Sequence, residues 1–177
     1  MQTVKMVITG PFSSGKTAFI QSVSEIDVVS TERKITTPAE HIKETTTVAM
    51  DFGRITVDDD LVLYLFGTPG QKRFDFMWEI LSEGMLGFIV MVDSSRPETF
   101  REAIGILQTF KAYAPTPYVV AANKQDLKDA WAVDDLRIAL KMDRKIKMLP
   151  CVATDKESVK NVLLALLYSI LEEMKEK

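Results

Sequence analysis

Val4-Lys5-Met6-Val7-Ile8-Thr9-Gly10-Pro11-Phe12-Ser13-Ser14-Gly15-Lys16-Thr17 is the stretch that decides the fold. Residues 4–9 form a short apolar run that ends at Gly10, the pattern of a buried strand. Residues 16–24, KTAFIQSVS, read as a helix. Between them, Gly10 to Thr17 fits GxxxxGK[ST] in full, in the strand–loop–helix context that this motif requires. Backbone N–H groups of such a loop and of the helix start point at phosphate oxygens. Gly10, Pro11, Phe12, Ser13, Ser14 and Gly15 supply the loop, Lys16 a positive charge for the β- and γ-phosphates, and Thr17 a hydroxyl that can ligate Mg²⁺. The bland alternative is a glycine turn before a helix with a chance lysine. The motif says nucleotide without saying which base.

Working outward, strands and helices alternate to the end of the chain. Residues 48–57 and 61–66 are strand-like, with the acidic triplet Asp58-Asp59-Asp60 as a hairpin turn between them. Residues 87–92 and 118–122 are continuous apolar runs, as expected of strands covered on both faces, and 147–152 is strand-like. Helices are expected over 76–83, 97–113, 133–141 and 158–175, the last with Val159, Val162, Leu163, Leu166, Leu167 and Ile170 at helical spacing. Residues 25–47 have few apolar side chains and read as a long polar connection. The alternation predicts an α/β fold: a doubly wound, mostly parallel six-stranded sheet with one antiparallel hairpin strand and helices on both faces. Residues 1–177 are expected to form a single domain, without repeats or linkers. Ligands of such sheets bind at the carboxyl ends of the strands.

Composition removes several function classes. The chain has 22 Lys+Arg against 25 Asp+Glu, a net charge of -3, and so no general electrostatic pull toward nucleic acid or anionic lipid. One cysteine, Cys151, excludes an internal disulfide framework, and one histidine, His41, excludes a His-His metal pair. The longest apolar runs, 84–92 and 162–167, fall short of the roughly 18 residues of a membrane span. Neither a signal peptide nor a lipid anchor is expected from the chain ends, which points to the cytoplasm.

A second motif follows the strand 118–122. Asn123-Lys124-Gln125-Asp126 ends in a carboxylate that can accept two hydrogen bonds from the N1–H and N2–H₂ of guanine, a donor pair adenine lacks. Asn123 can support the loop and contact the ring, and the Lys124 stem can lie over the base. With both motifs in this order, the sequence resembles the Ras-like small GTPases over essentially its whole length. The resemblance implies GTP/GDP and Mg²⁺ as ligands, with protein effectors and regulators as partners. It places Thr47 where the switch threonine touches Mg²⁺ and the γ-phosphate. It places Gly70-Gln71 in the second switch, with Gln71 orienting the attacking water. It also places Cys151-Val152-Ala153-Thr154 in the last guanine loop, with the Ala153 N–H directed to the guanine carbonyl.

The departures are informative. Where the family has DTAGQ this chain has Gly67-Thr68-Pro69-Gly70-Gln71, without the aspartate that orients the Mg²⁺ shell. A hairpin centred on Asp59 would set Asp51 opposite Gly67, on the same face, leaving room for the Asp51 carboxylate to serve instead. A one-residue bulge would flip that facing and leave Asp51 to solvent. The G-P-G-Q turn looks like the prokaryotic Rab- and polarity-type small GTPases. Phe12, a glycine in many relatives, would crowd Gln71 or an incoming arginine; Arg54 and Arg73 are the internal candidates for such a finger. Phe74, Phe76, Met77 and Trp78 follow the second switch, and a helix cannot bury all four.

The function expected is a GTP-binding switch that hydrolyses GTP slowly, with Lys16, Thr47 and Gln71 catalytic, and Thr17, Thr47 and Asp51 at the metal. The alternative is a module that holds the nucleotide with negligible turnover. A kinase or ATPase on the same phosphate loop is the third reading, and Asp126 opposes it.

Overall fold

The structure, a computed structural model, describes residues 1–39, 42–70 and 74–177, with backbone alone over 29–49. Among the described residues, seven strands form one sheet in the order β2-β3-β4-β1-β5-β6-β7. They are β1 (Gln2–Thr9), β2 (Val29–Ala39), β3 (Ile42–Asp58), β4 (Leu61–Gly67), β5 (Gly87–Asp93), β6 (Tyr118–Asn123) and β7 (Met148–Pro150). β1 pairs in parallel with β4 and β5, and β5, β6 and β7 continue in parallel. Only β3 runs against its neighbours, β2 on one side and β4 on the other.

The fold class is the expected one, but the sheet has seven strands where six were expected. The extra strand is β2, in the stretch read as a connection. Its sequence, VSTERKITTPA, and the β3 segment opposite it, IKETTTVAM, are rich in Thr, Val and Ile, which fit a pleated strand. Charged and polar residues are spread through both segments. Such a ribbon lacks the apolar alternation by which a half-buried strand is recognised.

The helices are α1 (Lys16–Val23), α2 (Phe76–Ser82), α3 (Phe100–Tyr113), α4 (Val133–Ala139) and α5 (Lys156–Glu176). A 3₁₀ turn over Pro97–Thr99 leads into α3. Alternation along β1 explains the two layers. Val4, Met6 and Ile8 pack with Phe19 and Ile20 of α1 and the apolar stripe of α5, while Val7 faces Trp78, Phe110 and Leu136 of α2, α3 and α4. The connections after β1, β4, β5, β6 and β7 therefore gather at one edge, the carboxyl ends of the parallel strands.

One irregularity sets the register at that edge. Asp58 faces Leu61 across the turn, whereas Thr56 faces Val62, so Val57 is an extra residue on β3. From there the pairing carries on without a shift, and Asp51 faces Gly67. A bulge does occur, but beside the turn, where it produces the expected facing. Without it β3 would slide by one residue and turn Asp51 to the other face.

Cys151, just after β7, is buried, and burial pushes its thiol up from 9.0 to about 11. The thiolate is the reactive form, so folded protein is expected to resist thiol reagents at pH 8 and to react fully once unfolded. A raised folded-state value favours folding fully below pH 9 and loses that contribution as pH rises toward 11. Thermal melts across that range should fall more steeply for the parent than for Cys151→Ala.

Candidate functional site

The loop between β1 and α1 is shaped by two glycines. Gly15 holds φ +106°, and a Cβ there would stand 2.2 Å from the Asn123 amide nitrogen. Gly10 holds φ +149°, and its Cβ would stand 2.4 Å from the Met91 carbonyl oxygen. The loop thus closes against β5 and β6 at positions where a side chain would not fit. Among the described residues no side chain caps α1, and the helix has no acidic residue of its own in its first turn, so its leading N–H groups remain open toward the cleft. Lys16 is 8% exposed, and its ammonium donates to the carbonyls of Gly10 and Pro11, 2.7 Å each. Burial pushes Lys16 down from 10.5 to about 8, against the opposing fields of Asp51 and Glu102.

Asp51 reaches this loop from β3. The Thr17 hydroxyl donates to Asp51 Oδ2. A Cβ on Gly67 would meet the Asp51 Cβ at 3.2 Å and its Oδ2 at 3.5 Å, so the space a family aspartate would fill is where Asp51 lies. Beyond Gly67, Thr68 is buried, bonded through its hydroxyl to Thr9 at 2.9 Å. Pro69 accepts a 3.0 Å bond from the Trp78 indole N–H. Gly70 lies so close to the phosphate loop that a Cβ there would be 2.8 Å from Phe12 N and 2.9 Å from Lys16 Nζ. Phe12, Ser13, Gly15, Lys16, Thr17, Asp51, Thr68, Pro69, Gly70 and Lys124 line one cleft of about 580 Å³. Two oxygen donors, Thr17 and Asp51, fit a hard divalent cation that keeps waters and takes phosphate oxygens for the rest. Among the described residues no three His, Cys, Asp or Glu side chains cluster, so a cation here would depend on those phosphate oxygens.

The other end of the cleft is built on Asn123 and Lys124. Asn123 is buried; its amide donates to the Ser14 carbonyl at 2.8 Å, and its carbonyl accepts the Ala153 N–H at 2.9 Å. One side chain therefore ties the phosphate loop to the last loop. The Ala153 N–H, expected to serve a base, is already bonded to Asn123. Lys124 donates to Asp93 at 2.7 Å and to the Ser13 carbonyl at 3.1 Å. Asp93 is 2% exposed, and its other oxygen takes bonds from Ser95 N–H and hydroxyl at 3.0 and 2.6 Å. Burial pushes the Asp93 carboxyl up, but the bonds from Lys124 and Ser95 outweigh it and hold the group below its usual range. Asp126 and Thr154 are exposed, on the loops after β6 and β7.

Of the expected site residues, Phe12, Ser13, Gly15, Lys16, Thr17, Asp51, Gly70 and Lys124 line one cleft, Gly10, Pro11, Ser14, Asn123 and Ala153 are bonded in behind it, and Asp126 and Thr154 are not in its lining. Thr47 does not come with them: it pairs with Lys34 on the β2–β3 ribbon, four residues along β3 from Asp51, about 13 Å of strand. Gln71, Arg73 and His41 lie outside the described residues. Of the aromatic series after the second switch, Phe74 and Trp78 are buried, while Phe76 is 47% exposed. Asp93 was not singled out from sequence; a carboxylate at the carboxyl end of a wholly buried strand was the available signal.

A family profile described as "Conserved hypothetical ATP binding protein" matches residues 27–176. An uncharacterized Methanocaldococcus jannaschii protein, MJ1339, is 33% identical over 71% of this chain and 73% of its own. The mutual gliding-motility protein MglA of Myxococcus xanthus is 27% identical over 97% of this chain and 92% of its own. The GTP-binding protein Rab-3D of Rattus norvegicus is 27% identical over 97% of this chain and 76% of its own. The chain belongs to this family of Ras-like P-loop proteins. Within the P-loop family the profile match begins after the phosphate loop and includes the Asn123–Asp126 motif. Among the described residues of this P-loop protein, no helix is long and apolar enough to cross a membrane.

Proposed function

We propose that this chain is a guanine-nucleotide switch that hydrolyses GTP slowly to GDP and phosphate. The observation that carries the reading is the convergence, on one uncapped helix start, of Lys16, the Thr17–Asp51 pair and the Asn123–Lys124 loop. In this reading the loop amides and Lys16 hold the β- and γ-phosphates. Thr17 and Asp51 would hold Mg²⁺, which supplies neutralising charge to the phosphates when bound. Water attacks the γ-phosphorus, the bond to the bridging oxygen breaks, and GDP leaves with the electron pair. Gln71 orients that water. Thr47 joins the site only when the β2–β3 ribbon moves, and Gly70 must lift from Phe12 and Lys16 to admit a γ-phosphate. Those two movements are the switch, and protein effectors and regulators would read them.

The description of the matching family names ATP. Asp126 is the residue that argues for guanine, because a carboxylate there pairs with the N1–H and N2–H₂ edge. Purified protein is therefore expected to carry GDP or GTP and to bind GTP at least roughly 100-fold more tightly than ATP in Mg²⁺, the scale of a lost bidentate pair. Asp126→Asn should shift preference toward xanthosine triphosphate. Equal affinity of the parent for ATP and GTP would remove the guanine reading. A module without turnover is the second reading, motivated by the close approach of Gly70 to the Phe12 backbone and the Lys16 ammonium. Single-turnover hydrolysis of bound GTP separates the two: phosphate release supports the switch, and none over hours supports the module.

A further inference from the structure

We propose that Asp93 is a positioning residue for the nucleoside end of the nucleotide, acting through Lys124. This rests on the nucleotide-binding reading above and extends it to a residue outside both motifs.

The Lys124 ammonium is held on two sides, by Asp93 Oδ2 at 2.7 Å and by the Ser13 carbonyl at 3.1 Å. With its charge fixed in this way, the lysine contributes its aliphatic stem to the cleft wall. The backbones at both ends are in the left-handed region, φ 63° at Lys124 and 62° at Ser13, where side-chain-bearing residues stay only when their surroundings hold them. Asp93 provides that hold for Lys124. Both of its oxygens are engaged, one by Lys124 and one by Ser95, so the buried carboxylate is satisfied only with the lysine in place.

The neighbouring bonds act in the same sense. Ser94 N–H donates to the Asn123 carbonyl at 3.1 Å, Gln125 donates to Ser94 Oγ at 2.8 Å, and Trp131 N–H donates to the Ser94 carbonyl at 2.8 Å. The end of β5 therefore holds the base-reading loop on one side, beside the bonds that tie Asn123 and Gln125 to the phosphate loop and the last loop. Asp126 is exposed, so the loop backbone decides where its carboxylate stands. Asp93 sets that backbone through the one charged link in the set. The phosphate end is shaped mainly by Gly10, Gly15 and the start of α1, and Asp93 reaches it only at second hand, through the bond from Lys124 to the Ser13 carbonyl.

The two ends can be measured separately. GDP reports on both ends, and inorganic tripolyphosphate on the phosphate end alone. In the full chain, stripped of nucleotide and given Mg²⁺, Asp93→Asn is expected to lower GDP affinity roughly 10- to 100-fold by titration calorimetry, the scale of breaking a buried charged pair. Tripolyphosphate affinity should move less than about twofold, and Asp93→Glu should recover part of the loss. Lys124→Met, which also removes the bond to Ser13, should lose at least as much GDP affinity and more of it than tripolyphosphate affinity, and the double variant should be no weaker than Lys124→Met alone. GDP binding by Asp93→Asn within about twofold of the parent would overturn the proposal, as would equal losses for GDP and tripolyphosphate. If Asp93→Asn does not fold, Lys124→Met decides, a larger loss for GDP than for tripolyphosphate supporting the proposal and equal losses overturning it, since the Lys124 side chain is 31% exposed and its truncation is tolerated more readily. A parent that prefers ADP to GDP overturns the guanine reading instead, and Asp93 is then judged by the same split with ADP.

Discussion

Lys16→Met is expected to lower GTP and GDP affinity by roughly 100-fold or more while leaving the unliganded fold as stable as the parent, or more so. Two or more charge-assisted bonds to phosphate are lost, each worth about 1.5–3 kcal/mol. The stability half of the expectation comes from burial. Lys16 is 8% exposed, and burial pushes its ammonium down to about 8, so its charged form is held at a cost. Methionine has similar length and no charge to desolvate. It does leave the carbonyls of Gly10 and Pro11 without their donor, which offsets part of the gain. Titration calorimetry gives the affinity and a nucleotide-free melt gives the stability. Affinity within about threefold of the parent would mean that Lys16 remains on the loop carbonyls and never serves a phosphate.

What the sequence disclosed depended on how local its cause was. The phosphate loop was legible because its geometry is written in adjacent residues: a strand, two glycines whose positions admit no Cβ, and a lysine one residue into the helix. The Asp51–Gly67 facing was legible too, by counting back from the Asp58-Asp59-Asp60 turn. The bulge at Val57 was not, because nothing in ITVDDDLV marks one strand as longer by a residue. Strand β2 escaped because both segments of its ribbon carry charged and polar residues throughout, and periodicity is silent there. Asp93 escaped for another reason: at the end of GFIVMVD it reads as the first residue after an apolar run, and its partner Lys124 is remote in sequence. The indole bond from Trp78 to Pro69 is of the same kind, a contact between a helix and a turn that only the packed sheet brings together.

Asp51→Ala is expected to weaken Mg²⁺-dependent GTP binding roughly 10- to 100-fold, while binding measured in EDTA changes by less than about threefold. The family aspartate is absent at Gly67, and the Asp51 carboxylate lies over that glycine, bonded to the Thr17 hydroxyl. If Asp51 does the missing residue's work, the carboxylate should be transferable across the strand pair. Gly67→Asp alone puts a second acid where the Cβ would already stand 3.0 Å from Ile20 Cδ1 and 3.2 Å from Asp51 Cβ, so it should destabilise the protein and gain nothing. Asp51→Gly/Gly67→Asp removes the Asp51 side chain, returns the acid to the family's position and keeps net charge unchanged. That double variant should recover a substantial part of the Mg²⁺ dependence that Asp51→Ala loses. An unchanged metal requirement in Asp51→Ala would sink the compensation. Loss in Asp51→Ala without recovery in the swap would instead assign Asp51 to its bond with Thr17 alone, a brace for α1 with no part in holding the cation.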